Sequence, residues 1–313
     1  MTSGAESRQT GQVPRVAITG ASGFLGAALA ARLREDSVTV QRLRRGPRAI
    51  APDVAWNPEA GTIDSAALEG VDIVVNLAGE PLVQRWTDAR KRRIRESRVR
   101  STDLLARTLA SLRHPPRALL SGSAIGIYGD RGEEELDEES STGGDFLASV
   151  ASDWERAAEP ARTAGIRIAF LRTGLVLNPR GGALAKMLLP FKLGFGGRLG
   201  PGSQWMSWIA LTDWLRAVRL LLLEEAISGP VNLVGPNPLP NEVFTKTLAR
   251  VLGRPTLLPL PPAAVEILFG EMGRATLLGS QRVHPRRLLE AGFEFECPTL
   301  EGALRREGVG SSG

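Results

Sequence analysis

The sequence predicts an α/β protein, a doubly wound parallel sheet followed by a smaller C-terminal substrate lobe. Three observations carry the prediction. Short apolar runs alternate with stretches of helical spacing through the first 180 or so residues, three glycines sit between the first such run and the first helix, and beyond about residue 181 the texture breaks into Gly/Pro-punctuated pieces. Strands alternating with helices imply βαβ units, whose parallel sheet binds ligands at the carboxyl ends of its strands.

Residues 16–19 are apolar and stop at Gly20, and residues 24–33 then carry apolar side chains at helical spacing. A second strand is expected at 38–40, a fully buried one at 71–77, another at 118–120 ending in Ser121-Gly122-Ser123, and one at 167–171. The longest helix is expected over 90–112. Segments 194–202 and 236–240 read as irregular, and 241–252 and 262–269 as short helices. The expected organisation is a disordered extension at 1–14, a sheet domain at 15–180 to which parts of 203–235 return, a cap mainly at 181–305, and a disordered tail at 306–313.

Composition narrows the class. With 42% hydrophobic and 23% charged residues over 313 positions, the chain reads as globular. One Cys, at 297, excludes an intramolecular disulfide framework, and two His, at 114 and 284, leave little for a His-rich metal site. No targeting segment or membrane span is readable, so the expectation is a cytoplasmic protein without metal, membrane or nucleic-acid partners, acting on a small molecule, with a homodimer possible. The net charge of +5 is concentrated at residues 85–100, where eight basic residues face Asp88 and Glu96. That segment is either an anion-binding feature or a solvated helix face.

The chemistry begins at the turn of residues 19–26, spaced GxxGxxG. Gly20 allows a sharp turn, Gly23 lets backbone N–H groups approach a pyrophosphate, and Gly26 permits close helix–strand contact, while the helix amino end faces the phosphates. The pattern predicts a Rossmann-type dinucleotide site; a glycine-rich turn kept for packing is the other reading. An acidic residue after the second strand would bind the ribose hydroxyl of NAD. Here Arg44 and Arg45 stand instead, and guanidinium groups suit a 2′-phosphate, so NADP(H) is the expected cofactor; the alternative is a plain basic loop.

These residues, with Asn76 to Glu80 (NLAGE), Ser121 to Gly129 (SGSAIGIYG), Leu171 to Gly174 (LRTG), Trp154-Glu155 and Gln281 to Pro285 (QRVHP), resemble the extended short-chain dehydrogenase/reductases. More narrowly, the chain is similar to their atypical epimerase-family branch, family 39U, with a DUF1731-type C-terminus. The resemblance runs from about residue 16 to 304. It implies a pyrophosphate on Gly20, Ser22, Gly23, Phe24, Leu25 and Gly26, the 2′-phosphate on Arg44 and Arg45, and an adenine and ribose side lined by Leu77, Ala78, Gly79 and Glu80. It further implies a cofactor contact at Arg98, Leu175 toward the nicotinamide, and Gln204 and Trp205 in a substrate pocket; core packing under the cap is the other reading of those tryptophans.

The usual catalytic Tyr-x-x-x-Lys cannot form. The chain has a single Tyr, Tyr128, with Gly132 four positions on, and counting back from Glu155 the Tyr and Lys positions hold Leu147 and Ala151. The proton must come from elsewhere, with Ser123 and Tyr128 first among the candidates, then Glu80, Asp145 and Asp153; Asp145 also suits a helix N-cap. The expected function is therefore an NADP(H)-dependent oxidoreductase or epimerase of a small carbonyl or sugar-like substrate. The alternative is an inactive NADPH-binding sensor or scaffold that regulates a protein partner.

Overall fold

The computed structural model describes residues 14–46, 48–256 and 258–310; the expected N-terminal extension up to residue 13 lies outside them. Eight strands form the central sheet: β1 (Arg15–Thr19), β2 (Thr39–Arg45), β3 (Val54–Asn57), β4 (Thr62–Ile63), β5 (Ile73–Asn76), β6 (Ala118–Ala124), β7 (Arg167–Thr173) and β8 (Gly229–Leu233). Their order is β8-β7-β6-β5-β1-β2-β3-β4, parallel throughout except that β4 runs antiparallel to β3. The chain reverses its direction of travel across the sheet between β1 and β5. A crevice at their carboxyl ends is where such a sheet binds ligands.

Alternation along each strand sends side chains to two cores. Val16 and Ile18 join Val75, Leu120 and Leu171 against Leu29 and Leu33 of helix α1 (Phe24–Glu35). Ala17, Val74, Leu119 and Ile168 face Leu105, Ala106 and Leu109 of α2 (Asp88–Ser111). Because helices cover both faces, the strands read as apolar runs rather than alternating ones. Helix α3 (Phe146–Arg156) follows the β6 loop, and the short α4 (Glu159–Thr163) leads into β7. Among the described residues no helix is long and apolar enough to cross a membrane.

The later chain builds a third cluster. Helix α5 (Gly182–Lys192), α7 (Asn241–Leu252) and α10 (Leu300–Arg306) bury Leu184, Leu188, Phe244, Leu248 and Leu304 together. Between them α6 (Leu211–Leu223) returns to the first core through Trp214, Val218 and Leu221. Helix α8 (Pro262–Gly273) closes over the amino end of α2, and α9 (Arg286–Glu290) packs beneath β8.

Two expectations need correction. The sheet extends past the expected strands, because β3 and β4, of four and two residues, are too short to stand out in the sequence but complete the pairing of β2. The tail does not begin at 306: Glu307 accepts hydrogen bonds from Thr212 N and Oγ1 and from Asn178 Nδ2, and Val309 is buried in the third cluster. Only residues 311–313 lie outside the described residues.

Leu105 has no exposed surface and sits between α2 and the sheet. Leu105→Ala leaves a cavity there, and chemical denaturation is expected to show a loss of about 2–5 kcal/mol.

Candidate functional site

The glycine turn is built around one contact. Gly20 adopts φ +66°, and a Cβ there would lie 2.5 Å from the Leu77 carbonyl oxygen; a Cβ on Gly26 would lie 2.2 Å from the Gly20 oxygen. Both positions exclude any larger residue, since α1 must begin against its own preceding turn. Gly23 caps α1 without a side-chain hydrogen bond, so the N–H groups of the first turn, Phe24 and Leu25 among them, face outward at a positive helix end. Thr19 fastens the turn to the neighbouring strand end: its Oγ1 donates to Asn76 Oδ1 (2.6 Å) and accepts from Leu77 N (3.0 Å) and Ala78 N (3.1 Å). Those two amides are consumed within the protein. What Leu77 to Glu80 offers a ligand is the shape of its loop.

Arg98 sets that shape from behind. Its guanidinium lies 3.2 Å from where a Gly79 Cβ would be, donates to the Ile94 and Glu80 carbonyls, and sits 5.1 Å from the Trp154 ring. Burial pulls its pKa down to about 10, with the Glu80 carboxylate opposing. Glu80 in turn accepts from Arg90 (3.1 Å).

At the end of β2 the structure adds a carboxylate that local sequence did not show. Asp53 takes Arg42 in a two-pronged pair (Nε 3.0 Å, Nη2 2.7 Å) and lies 3.6 Å from Arg44. Burial pushes the Asp53 carboxyl up, but the hydrogen bonds and charge of Arg42 outweigh it and hold the group below its ordinary value. Arg44 remains 64% exposed along its side chain, and Arg45 is exposed. Asp53 escaped notice because it arrives on the residue before β3, eight positions past Arg45.

The carboxyl ends of β6, β7 and β8 align a second group. Register places Ser123 beside Arg172 and Arg172 beside Asn232. Ser123 Oγ donates to Glu155 Oε1 (2.6 Å), a residue of α3, and Arg172 clamps that carboxylate through Nε (2.8 Å) and Nη2 (2.9 Å). Arg172 Nη1 also donates to the Tyr128 hydroxyl (3.0 Å), which donates to Asn232 Oδ1 (2.8 Å). Asn232 N then donates to Glu138 Oε1 (2.9 Å).

Tyr128 is thus engaged within this chain of hydrogen bonds. It is fully buried and its hydroxyl is occupied on both sides. Burial raises its pKa, against the pull of Arg172 and Asn232. Asp145 is the N-cap of α3, accepting from Ala148 N (2.8 Å), and Asp153 is paired with Arg95 and Arg156. Leu147 packs with Phe146, Trp86 and Phe269 under α8. Leu175 lies half-buried after β7, its N–H donating to the Ser207 carbonyl.

Residues 16–235 match the NAD dependent epimerase/dehydratase family, and residues 260–307 match a domain of unknown function, DUF1731. The chain belongs to the NAD dependent epimerase/dehydratase family. An epimerase family protein of Mycobacterium tuberculosis is 44% identical over 290 residues, covering 92% of this chain and 96% of that one. The human epimerase family protein SDR39U1, crystallised with NADPH, superposes with a TM-score of 0.87 at 32% identity, covering 95% of this chain and 99% of that chain. A nucleoside-diphosphate sugar epimerase from Corynebacterium glutamicum superposes at 0.77 with 37% identity; this chain covers 59% of that longer one.

Within this epimerase-family chain Gln204 of the cap is buried, its Nε2 donating to the Leu199 (2.8 Å) and Leu277 (3.1 Å) carbonyls while its Oε1 has no partner among the described residues. Trp205 is half-buried, with the Arg282 guanidinium 4.3 Å from its ring centre. Gln281 holds the loop after β6, donating to Ile125 (3.2 Å) and Gly129 (3.1 Å) carbonyls; it appeared in the sequence only as part of a family landmark.

Glu138 closes the polar chain with one oxygen buried and unpartnered. Burial pushes its carboxyl above the ordinary value, and the amides of Asn232 and Arg287 only partly counter it. A carboxyl whose folded pKa is raised stabilises the fold fully below its unfolded pKa and loses that contribution as pH rises through the folded one. Urea unfolding between about pH 4 and 8 is expected to show the parent losing stability relative to Glu138→Gln as pH rises, the gap levelling off once Glu138 is ionised.

Proposed function

We propose that this chain is an NADP(H)-dependent oxidoreductase or epimerase of a small carbonyl or sugar-like substrate that works without a Tyr-x-x-x-Lys pair. The observation that carries the reading is Ser123, whose hydroxyl stands at the carboxyl end of β6 already bonded to an oriented carboxylate. The free amides at the start of α1 hold the cofactor's diphosphate, and Arg44 and Arg45, the charges left over once Asp53 has taken Arg42, hold the 2′-phosphate. The NADPH in the human relative's crystal supports that assignment. When bound, the nicotinamide supplies hydride transfer to or from a carbon of the substrate.

The chain's own residues move the proton. In the oxidising direction Ser123 Oγ takes the proton of the substrate hydroxyl and passes its own to Glu155; in the reducing direction the two transfers reverse. Arg172 orients Glu155 through two hydrogen bonds. Arg172 itself is drawn down by burial, but its hydrogen bonds and charge pairing with Glu155 raise its pKa overall. A carboxylate already held by Arg172, with Leu147 and Ala151 where the Tyr and Lys are expected, favours a second reading: a sensor that binds NADPH and regulates a partner without chemistry.

Two measurements separate these. Isothermal titration should show NADPH bound much more tightly than NADH, and Arg44→Glu with Arg45→Glu should erase the difference; equal affinities in the unmodified protein would overturn the cofactor assignment. Across a carbonyl library, NADPH oxidation should appear and fall by about 10²–10⁴-fold in Ser123→Ala with cofactor affinity unchanged. Saturated protein that turns nothing over, yet captures a partner only with NADPH present, decides for the sensor.

A further inference from the structure

Several of the exposed large apolar side chains belong to two neighbouring elements. Leu189 (64%) and Leu193 (62%) at the end of α5, with Phe195 (65%) just beyond it, stand out from the cap, and so do Ile267 (74%) and Leu268 (59%) on α8. The two elements are joined physically. Residues 198–200 run beside 258–262, with Leu199 bridged to Leu260 and Gly200 N donating to the Leu260 carbonyl. The loop before α2 stands against both, Lys186 Nζ donating to the Val83 carbonyl and Arg85 reaching to within 4.0 Å of where a Gly270 Cβ would lie.

Basic side chains prevail on this face. Lys186, Lys192, Arg198 and Arg85 are exposed around the apolar side chains, and no Asp or Glu occurs between Glu159 and Asp213. The acids nearest in sequence on α7 and α8 are already engaged: Glu242 with Lys246, Glu266 with Arg274 and Glu271 with Lys91. A second copy of the chain is a poor occupant. A twofold contact would set these cations against themselves with no acid from α5 or its following loop to pair them. Side chains more than half exposed project outward and do not line a groove, and lysines beside them can reach past an apolar layer to charged headgroups.

We propose that this face, formed by the end of α5, the following loop and α8, docks the protein on an anionic lipid bilayer, with Leu193 and Phe195 entering the headgroup boundary and Lys186, Lys192 and Arg198 meeting lipid phosphates. The association is peripheral, and it stands apart from the reaction proposed above.

The test is co-sedimentation of the full chain with vesicles of phosphatidylglycerol and phosphatidylcholine, compared with phosphatidylcholine alone. Binding is expected only to the anionic vesicles, is weakened by salt, and falls by about tenfold or more in Leu193→Asp with Phe195→Asp. Lys192→Glu should weaken it without touching the apolar residues. Unchanged thermal melting and NADPH titration in each variant verify that the fold is intact. Absence of vesicle binding by the parent, binding that ignores these substitutions, or a concentration-dependent dimer in sedimentation velocity that Leu193→Asp dissolves would each overturn the proposal, the last in favour of a second copy.

Discussion

Arg172 carries a full charge at the carboxyl end of β7 with 8% of its side chain exposed, and a buried guanidinium is tolerated only when its donors are met. Glu155 meets two of them and the Tyr128 hydroxyl a third. Each partner comes from a different element, so satisfying one charge fixes the position of α3 against the sheet, the turn after β6, and, through Tyr128 and Asn232, the edge strand β8. Ser123 inherits its orientation from the same clamp. The proposed chemistry and the architecture of this end of the sheet thus share one electrostatic requirement.

The cofactor end of the crevice is governed by space. The φ of Gly20 and the closeness of Gly26 to the Gly20 oxygen bring α1 down onto the strand end, which is what leaves its first amides facing out. Thr19 then spends one hydroxyl on three partners of the adjacent strand end, so the two walls of the crevice move as one. At the rim, Asp53 pairs with Arg42 and lies 3.6 Å from Arg44, while Arg45 stays exposed.

Amides and arginine stacking hold the cap alongside apolar packing, in which Val283 lies among Ile125, Ile127 and Tyr128. Gln204 and Gln281 tie loops through backbone carbonyls, and Arg282 lies over Trp205. Gln281 and Arg282 carry that grip to the β6 loop and to Trp205, while Leu147 shares an apolar cluster with α8 beside the site.

The parallel sheet, the glycine turn and the arginines after β2 were legible in the sequence because each depends on neighbours a few residues apart: strand periodicity, a turn that only glycine can make, a charge at the end of a strand. The missing Tyr-x-x-x-Lys was legible for the same reason. Pairings across the fold were not. That Asp53 answers Arg42, that Tyr128 bonds Asn232 and Arg172, that Gln204 reaches the Leu277 carbonyl, and that Glu307 anchors the chain's end all join residues separated by from about ten to more than a hundred positions. A polar side chain's partner is set by which strands and helices lie side by side, and only the tertiary structure decides that.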